Sequence, residues 1–274
     1  MTAANSATDC VPVSVVVPCY RCTSTVERAV ASVSDQTRRP FELILVNDGS
    51  TDETGPVLQG LREHYGEWVL VVELPTNQGA AAARNMGWGM AKQPYVAFLD
   101  ADDAWHPKKL EIQYRYMQEH PEVVLSGHLS HQLPALAPAP TGEIEMAGVS
   151  AITLCTLLLR HQFVTPSVMV RADLPFRFDA KLRYMEDHRL WLDVVGAGMP
   201  TVKLQAELVA IYKPAYGAGG LSGNLWGMEK AELSNYWHMR RQGKISFLTL
   251  LLLQMYSLTK HLRRLGLVAF RKTL

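Results

Sequence analysis

The stretch Tyr95-Val-Ala-Phe-Leu-Asp-Ala-Asp-Asp103 places three carboxylates directly after a short apolar run. The run is typical of a buried strand. Three carboxylates within four residues repel one another, and a divalent cation bound by oxygen, Mg²⁺ or Mn²⁺, relieves that repulsion. Asp103 could instead cap the helix that Pro107 favours. That role explains one aspartate and not three, so the pattern favours a metal site at the end of a strand.

Strand and helix patterns alternate around this stretch through the first 120 residues. The predicted strands are Val13–Val17, Glu42–Val46, Trp68–Val72 and Tyr95–Leu99. Capping boxes, Ser24-x-x-Glu27 and Ser50-x-x-Glu53, predict the starts of the first two intervening helices. Such alternation predicts a parallel sheet with right-handed crossovers, whose ligands bind beyond the carboxyl ends of the strands.

Polar segments follow each of the four predicted strands. They are 18–20, 47–50, 77–79 and 100–103. Parallel strands end at one rim of their sheet, so these segments are expected to converge there. Asp48, followed by Gly49, is either a hydrogen-bond acceptor for a base or ribose or an ordinary turn residue, and its position alone leaves both open.

Five motifs, in order, carry a resemblance to a known family. They are Val15-Val-Val-Pro-Cys-Tyr20, Val46-Asn-Asp-Gly-Ser-Thr-Asp52, Asn77-x-Gly79 with Ala83-Arg-Asn-x-Gly87, Tyr95–Asp103 and Glu186-Asp187. The chain from about 13 to 191 resembles family 2 glycosyltransferases of the GT-A type. The resemblance implies a Rossmann-like, mostly parallel sheet with helices on both faces, a nucleotide-sugar site, a bound divalent metal and inversion at the anomeric carbon.

The resemblance also implies roles for residues of the nucleotide site. Pro18 and Tyr20 match the loop that contacts uracil, with Tyr20 against the base. Asp48 matches the aspartate that bonds to the base, and Arg84 matches an arginine near the nucleotide. Asn47 departs from the family, which often has a second aspartate at this position.

Three acidic residues match the family's metal and catalytic positions. Asp100 and Asp102 match the first and last aspartates of the D-x-D motif, with Asp102 as the direct metal ligand and Asp100 near the ribose or a metal-bound water. Asp187 matches the general base that takes the proton of the acceptor hydroxyl. An acidic pair at a helix start also suits the helix dipole by itself. His188 stands where the family often has an aromatic residue.

The remainder of the chain is less regular. We expect residues 10–234 to form the glycosyltransferase domain, with a nucleotide-sugar half (10–120) and an acceptor half (121–234). Pro134–Pro140 predicts an extended loop, and Thr165–Val170 predicts a strand. Gly217–Gly223 predicts a flexible loop, either a lid over the donor or plain surface.

Residues 235–274 are expected to form a basic, apolar helical tail. They carry eight basic and no acidic residues, leaving 19 basic against 26 acidic residues in 1–234. The apolar run Ile245–Leu258 is too short to span a bilayer, which needs about 20 residues. Cations on both sides of it suit a helix on an anionic membrane surface through 240–272, although a core helix with a solvated basic end has the same pattern.

The overall composition narrows the class of protein. The chain has 274 residues, 48% of them hydrophobic, and a formal net charge of +1, which argues against a nucleic-acid partner. Four cysteines and an N-terminus without a secretory pattern indicate a reducing, cytoplasmic location, with the inner face of the cell membrane as the site of any tail contact.

The sequence therefore predicts an inverting, metal-dependent glycosyltransferase. It would move a sugar from a nucleotide-sugar, a UDP-sugar, to a hydroxyl of a glycan or lipid-linked acceptor in surface-polysaccharide synthesis. The alternatives are a sugar nucleotidyltransferase, which would release pyrophosphate, and a non-catalytic nucleotide-binding protein. Cys19-x-x-Cys22 has the thioredoxin arrangement, but a redox function leaves the acidic residues unexplained.

Overall fold

Strands and helices alternate through the first half of the chain in the computed structural model, which describes residues 10–212 and 224–272, with side chains as far as Arg264. The strands are β1 (Cys10–Cys19), β2 (Arg39–Asn47), β3 (Val69–Glu73), β4 (Tyr95–Phe98), β5 (Ala104–Trp105), β6 (Leu125–Gln132), β7 (Val149–Ala151), β8 (Met169–Arg171) and β9 (Thr201–Ile211). The α-helices are α1 (Val26–Ser34), α2 (Thr54–Tyr65), α3 (Ala80–Met90), α4 (Lys109–Glu119), α5 (Leu154–Leu159), α6 (Glu186–Gly196), α7 (Leu225–Arg241) and α8 (Phe247–Lys272).

The described strands form one mixed sheet in the order β3-β2-β1-β4-β8-β6-β9-β5, with β7 paired to β9. The first four strands are parallel, as the alternation predicts. Beyond β4 only the β6–β9 pair is parallel, and β8, β5 and β7 run antiparallel to their neighbours. The sheet is therefore fully parallel in the unit β3-β2-β1-β4 and mixed beyond it.

Two hydrophobic cores lie on opposite faces of the sheet. The side chain of Val16 in β1 belongs to the core beneath α3 and α6, while its neighbours Val15 and Val17 belong to the core beneath α1, α2 and α4. Successive residues of a strand point to opposite faces, so a continuous valine run serves both cores. Helices cover both faces, as predicted.

Both predicted capping boxes are wrong. α1 begins at Val26, after a turn in which the carbonyl of Cys22 accepts from the backbone of Thr25 and Val26. α2 begins at Thr54, and the Ser50 hydroxyl instead accepts from the Arg21 backbone N–H at 3.2 Å. The serine therefore joins the loops after β1 and β2 rather than capping a helix.

The acceptor half differs from its predicted strand and agrees with its predicted loop. Residues Thr165–Ser167 form a 3₁₀ turn, and only Met169–Arg171 forms a strand, because Ser167 and Val168 donate back to the carbonyls of Val164 and Thr165. Pro134–Pro140 has neither helix nor strand, as expected. The predicted loop Gly217–Gly223 lies outside the described residues.

The C-terminal helices pack on the domain. The expected start of a separate tail at residue 235 falls inside α7. Tyr236, Ile245, Leu250 and Leu253 are buried in the same core as α6, so one side of α8 is part of the folded body. None of the helices in the described part of the chain has the length and hydropathy needed to cross a bilayer.

Candidate active site

The loops after β1, β2, β3 and β4 surround a pocket of about 970 Å³. Six of the seven predicted site residues line it: Pro18, Tyr20, Asp48, Arg84, Asp100 and Asp102. The seventh, Asp187, is adjacent in sequence to the lining residue Glu186 and does not itself line the pocket. The convergence expected at the rim of the sheet is therefore observed.

Asp48 fastens two of these loops together. Its carboxylate is 2% exposed and accepts from the backbone N–H groups of Gln78 at 2.7 Å and Gly79 at 2.8 Å. Gly49 follows with φ +62°, and a Cβ there would lie 2.4 Å from the Thr76 carbonyl carbon. Asp48 therefore joins the loops after β2 and β3, and as a carboxylate with further acceptor capacity it can also accept a hydrogen bond from a ligand.

Arg84 links the strand-end acids to the start of α6. Its guanidinium is buried and donates to Asp100 Oδ1 at 2.7 Å and to Glu186 Oε1 at 3.1 Å. Burial alone lowers the pKa of Arg84, but the two carboxylates outweigh it and raise the pKa above the usual arginine value. Burial and repulsion from Asp187 raise the pKa of Glu186, and Arg84 opposes that rise.

The acidic cluster fits a divalent metal. One carboxylate oxygen each from Asp100, Asp102 and Asp103 lies within 4.8 Å of the others. Asp102 is half-buried on the pocket wall, and its backbone carbonyl accepts from Arg28 at 2.7 Å. Asp103 is buried, and its carboxylate accepts from the Tyr212 backbone at 3.3 Å. An all-oxygen donor set at the mouth of a polar pocket suits Mg²⁺ or Mn²⁺.

Asp187 is held at the first turn of α6. Its Oδ2 accepts from the Thr165 hydroxyl at 3.0 Å and its Oδ1 from the His188 backbone N–H at 2.6 Å. Met185, just before the acidic pair, has φ +56°. A non-glycine residue in this left-handed region is strained, and such strain concentrates at functional sites. The N-terminus of a helix also favours a carboxylate.

The loop after β1 leaves the Tyr20 ring available. The ring is 44% exposed on the pocket wall, with the Arg21 guanidinium 5.4 Å from its centre. Cys19 and Cys22 are free thiols beside it, and a hydrogen bond from Cys19 lowers the pKa of Cys22. An exposed aromatic face at this position can stack on a planar base.

Sequence reasoning missed part of the pocket wall. The segment Ala180–Tyr184 also lines the pocket and contributes the cations Lys181 and Arg183. The sequence offered one signal for this part of the wall, which is that two cations closely precede the acidic pair Glu186-Asp187. The segment has no hydrophobic periodicity that would place it. Thr165 was assigned to a strand, so its contact with Asp187, across 22 residues of chain, was not foreseen.

The fold and the pocket together define a class of protein. A parallel β3-β2-β1-β4 unit with a ligand pocket at its carboxyl rim, extended by a mixed half-sheet, is the GT-A architecture. Two solved structures, among others, share this fold. Staphylococcus aureus TarS 1–349 in complex with UDP matches with TM-score 0.64 and 18% identity over 91% of this chain and 71% of that one. The Pyrobaculum calidifontis mannosyltransferase PcManGT, in complex with GDP-Man and Mn²⁺, matches with TM-score 0.68 and 15% identity over 94% and 75%.

Residues 14–142 match the family model for glycosyl transferase family 2. This match supports the resemblance to that family that the motifs predict. A Bacillus subtilis (strain 168) glycosyltransferase, TuaG, whose name provisionally assigns it to teichuronic acid biosynthesis, is 46% identical over 107 residues, covering 39% of this chain and 42% of TuaG. Escherichia coli WfaP, a UDP-Glc:alpha-D-GlcNAc-diphosphoundecaprenol beta-1,3-glucosyltransferase, is 26% identical over 215 residues, covering 77% and 80%. The chain thus spans less than half the length of TuaG.

Proposed function

We propose that the protein is an inverting, metal-dependent glycosyltransferase of surface-polysaccharide synthesis. It takes its sugar from a nucleotide-sugar, a UDP-sugar, and transfers it to a hydroxyl of a glycan or lipid-linked acceptor. The observation that best supports this proposal is that an exposed tyrosine face, the loop of Asp48 and the carboxylate cluster lie around one pocket. TarS is solved with UDP and WfaP is named for UDP-Glc, which favours uridine among the nucleotides.

The donor is expected to span the pocket from Tyr20 to Asp102. Tyr20 stacks on the base, Pro18 flanks it, and Asp48 accepts a hydrogen bond from it. Lys181 and Arg183, which also line the pocket, supply positive charge for the diphosphate. Asp102 would hold Mg²⁺ or Mn²⁺, which as a Lewis acid stabilises the charge that develops on the departing diphosphate.

Asp187 is proposed as the general base. An acceptor hydroxyl is a weak nucleophile at neutral pH, so a carboxylate that takes its proton during attack accelerates the reaction. Thr165 and the His188 N–H fix the orientation of Asp187 from outside the donor pocket. Attack from the face opposite the diphosphate inverts the configuration at the anomeric carbon.

A product assay tests the proposal. A panel of UDP-sugars is incubated with Mn²⁺ and with GlcNAc-diphosphoundecaprenol, the acceptor in the name of WfaP, and UDP and pyrophosphate are measured separately. The expected result is release of UDP with a lengthened lipid-linked glycan. Release of pyrophosphate would indicate a nucleotidyltransferase, and binding of UDP-sugars with no turnover on any glycan or lipid-linked acceptor would indicate a binding protein.

The C-terminal helix supports a membrane location for this reaction. The side of α8 turned away from the core is apolar over four turns, with the following side chains exposed: Phe247, Leu248, Leu251, Leu252, Met255, Tyr256, Leu258 and Leu262. Exposed apolar faces of this extent mark interaction surfaces. Arg240, Arg241 and Lys244 precede this face and Arg263 follows it.

The occupant we propose for this face is an anionic lipid surface at the inner face of the membrane. An amphipathic helix with an apolar side between basic ends binds there through apolar burial and attraction to lipid headgroups. Lys260 of the same helix reaches back to Glu232 of α7 at 2.6 Å, so the helix is anchored to the enzyme by its other side. A lipid-linked acceptor would then be presented beside the catalytic body.

Vesicle sedimentation tests the membrane proposal. Leu248→Glu/Leu252→Glu/Met255→Glu changes only exposed positions of α8 and should abolish binding to vesicles of phosphatidylglycerol and phosphatidylcholine. The matched control is Phe41→Glu/Leu136→Glu/Met146→Glu, three exposed apolar residues elsewhere, which should bind as the wild type does. Equal binding by all three proteins contradicts the proposal. Deleting the tail is a poorer test, because Leu250 and Leu253 belong to the core.

A further inference from the structure

A second groove lies on the outer side of the junction between α6 and α7. Its volume is about 530 Å³, and it shares no lining residue with the donor pocket. Arg189 of α6 forms one wall. Lys230, Trp237 and Arg241 line the other wall from α7, spaced seven and four residues apart so that they share one helix face. No acidic side chain lines the groove among the described residues.

Arg189 is a buried cation whose side-chain hydrogen bonds, among the described residues, go to neutral partners. Its side chain donates to Asn235 Oδ1 at 2.6 Å and to Ser234 Oγ at 3.2 Å, and both partners are neutral. The residue is 8% exposed, and burial lowers its pKa, although the carboxylates of Asp193 and Asp179 partly oppose that change. Asp193, the neighbouring carboxylate on α6, is bound to His238 Nε2 at 2.6 Å. Burial of a charge is costly unless an opposite charge compensates for it.

The other residues that line the groove suit a ligand that carries an anionic group attached to an organic group. The side chains of Lys230 and Arg241 are exposed at the groove mouth and form no ion pair with the described residues. Trp237 is 44% exposed and offers a flat apolar face between these two cations. Guanidinium groups bind phosphate oxygens in pairs, and an ammonium group adds a point charge.

We propose that this groove binds a phosphate ester, with the phosphate between Arg189, Lys230 and Arg241 and the esterified group against Trp237. Two sources carry that chemistry: a soluble phosphate ester and the headgroup of an anionic phospholipid. The site is separate from the donor pocket, so the proposal stands or falls independently of glycosyl transfer.

Binding measurements on surface variants test the groove. Glycerol 1-phosphate is titrated calorimetrically in a metal-free buffer, and vesicles of phosphatidylcholine with phosphatidylglycerol are sedimented with the protein. Lys230→Gln/Arg241→Gln is expected to weaken binding about tenfold or more, since two charge-assisted contacts are lost. Trp237→Ala, which changes no charge, is also expected to weaken it. Arg62→Gln/Arg115→Gln removes the same charge from exposed sites elsewhere and should bind as the wild type does.

The two probes separate the two sources. Weakened binding of glycerol 1-phosphate by the groove variants alone assigns the groove to the phosphate ester itself. Weakened vesicle binding by Trp237→Ala as well as by the charge variant, without a change for the soluble probe, assigns the groove to headgroups presented by a membrane. Absence of binding to either probe by the wild-type protein, or equal effects of the groove and control charge variants, overturns the proposal.

Discussion

Asp187 is the residue on which the proposed chemistry depends most. Replacement by Asn keeps the size of the side chain and its contact with Thr165, but an amide cannot take the acceptor proton. We expect Asp187→Asn to lower kcat by about 10²- to 10⁴-fold, the range for loss of a general base, while UDP binding is unchanged. Steady-state turnover and calorimetric titration of UDP check this. Near-normal turnover in the variant contradicts the assignment.

We propose that Thr165 positions Asp187. Kinetic measurements distinguish this role from a purely structural role. Thr165→Val removes the hydroxyl that donates to Asp187 Oδ2 at 3.0 Å and keeps the branched shape. We expect a fall in kcat of about fivefold, since about 1 kcal/mol of hydrogen bonding is lost, with little change in the KM for the donor. Thr165→Ser should restore most of kcat. A Ser variant no better than the Val variant contradicts the positioning role.

At the scale of single elements, α3 lies unusually close to the sheet. A Cβ on Gly87 would lie 2.4 Å from Val16 Cγ1 of β1, whereas a Cβ on Gly89 has no neighbour within 4 Å. We expect Gly87→Ala to lower the free energy of unfolding by about 1–3 kcal/mol through overpacking. In the same helix, Gly89→Ala should raise it by about 0.5–1 kcal/mol.

Denaturant unfolding of both glycine variants measures this difference. Both glycines lie in the same helix, so the gain in helix propensity on replacing glycine with alanine applies to both. The two positions differ in their distance from the side chains of β1. Equal stabilisation by the two alanines contradicts the close packing of α3 on β1.

The sequence predicted strands well where a run of apolar residues is buried in the folded protein. The valine run of β1 and the apolar runs of β2 and β4 identified the parallel half, because strands buried on both faces are continuous in hydrophobicity. The capping boxes failed because Ser50 bonds to Arg21, a tertiary contact that no local pattern contains. The strand predicted over 165–170 is shorter than expected because local backbone hydrogen bonds from Ser167 and Val168 form a 3₁₀ turn, which leaves only Met169–Arg171 to pair as β8.

The candidate site was predictable to a similar degree. Tyr20, Asp48, Arg84, Asp100 and Asp102 lie around one pocket because strand ends at one rim must be neighbours. The segment that carries Lys181 and Arg183 approaches from the acceptor half through an irregular loop, so its place on the wall required the structure. The roles of all these residues remain predictions.

At the scale of the whole molecule, a buried histidine couples folding to acid pH. Burial, reinforced by Lys109 and Lys203, lowers the pKa of His128 to about 3 from the ordinary 6.5. Between these values the unfolded chain binds more protons than the folded one, so stability falls as pH falls through that window. His128→Asn keeps a donor for the Leu129 carbonyl, which lies 2.8 Å from His128 Nδ1, and removes the titration.

Between about pH 6 and pH 4, we expect the free energy of unfolding of His128→Asn to change less steeply with pH than that of the wild type. The difference in slope corresponds to the uptake of up to one proton, or about 1.4 kcal/mol per pH unit. Urea unfolding at several pH values measures the slope. His64→Asn, at an exposed position, serves as the control and should follow the wild type. An unchanged slope in His128→Asn contradicts the buried neutral histidine.

The most direct test of the central claim is a thermal-shift titration of UDP with and without Mn²⁺. The account predicts that UDP stabilises the wild-type protein only when Mn²⁺ is present, by about 2.7 kcal/mol at a UDP concentration 100 times its Kd. Asp102→Asn should lose this stabilisation and Asp187→Asn should keep it. Two results would contradict a metal-assisted nucleotide-sugar site in this pocket. One is stabilisation by UDP that is the same without Mn²⁺ and in Asp102→Asn, and the other is the absence of any stabilisation of the wild-type protein by UDP.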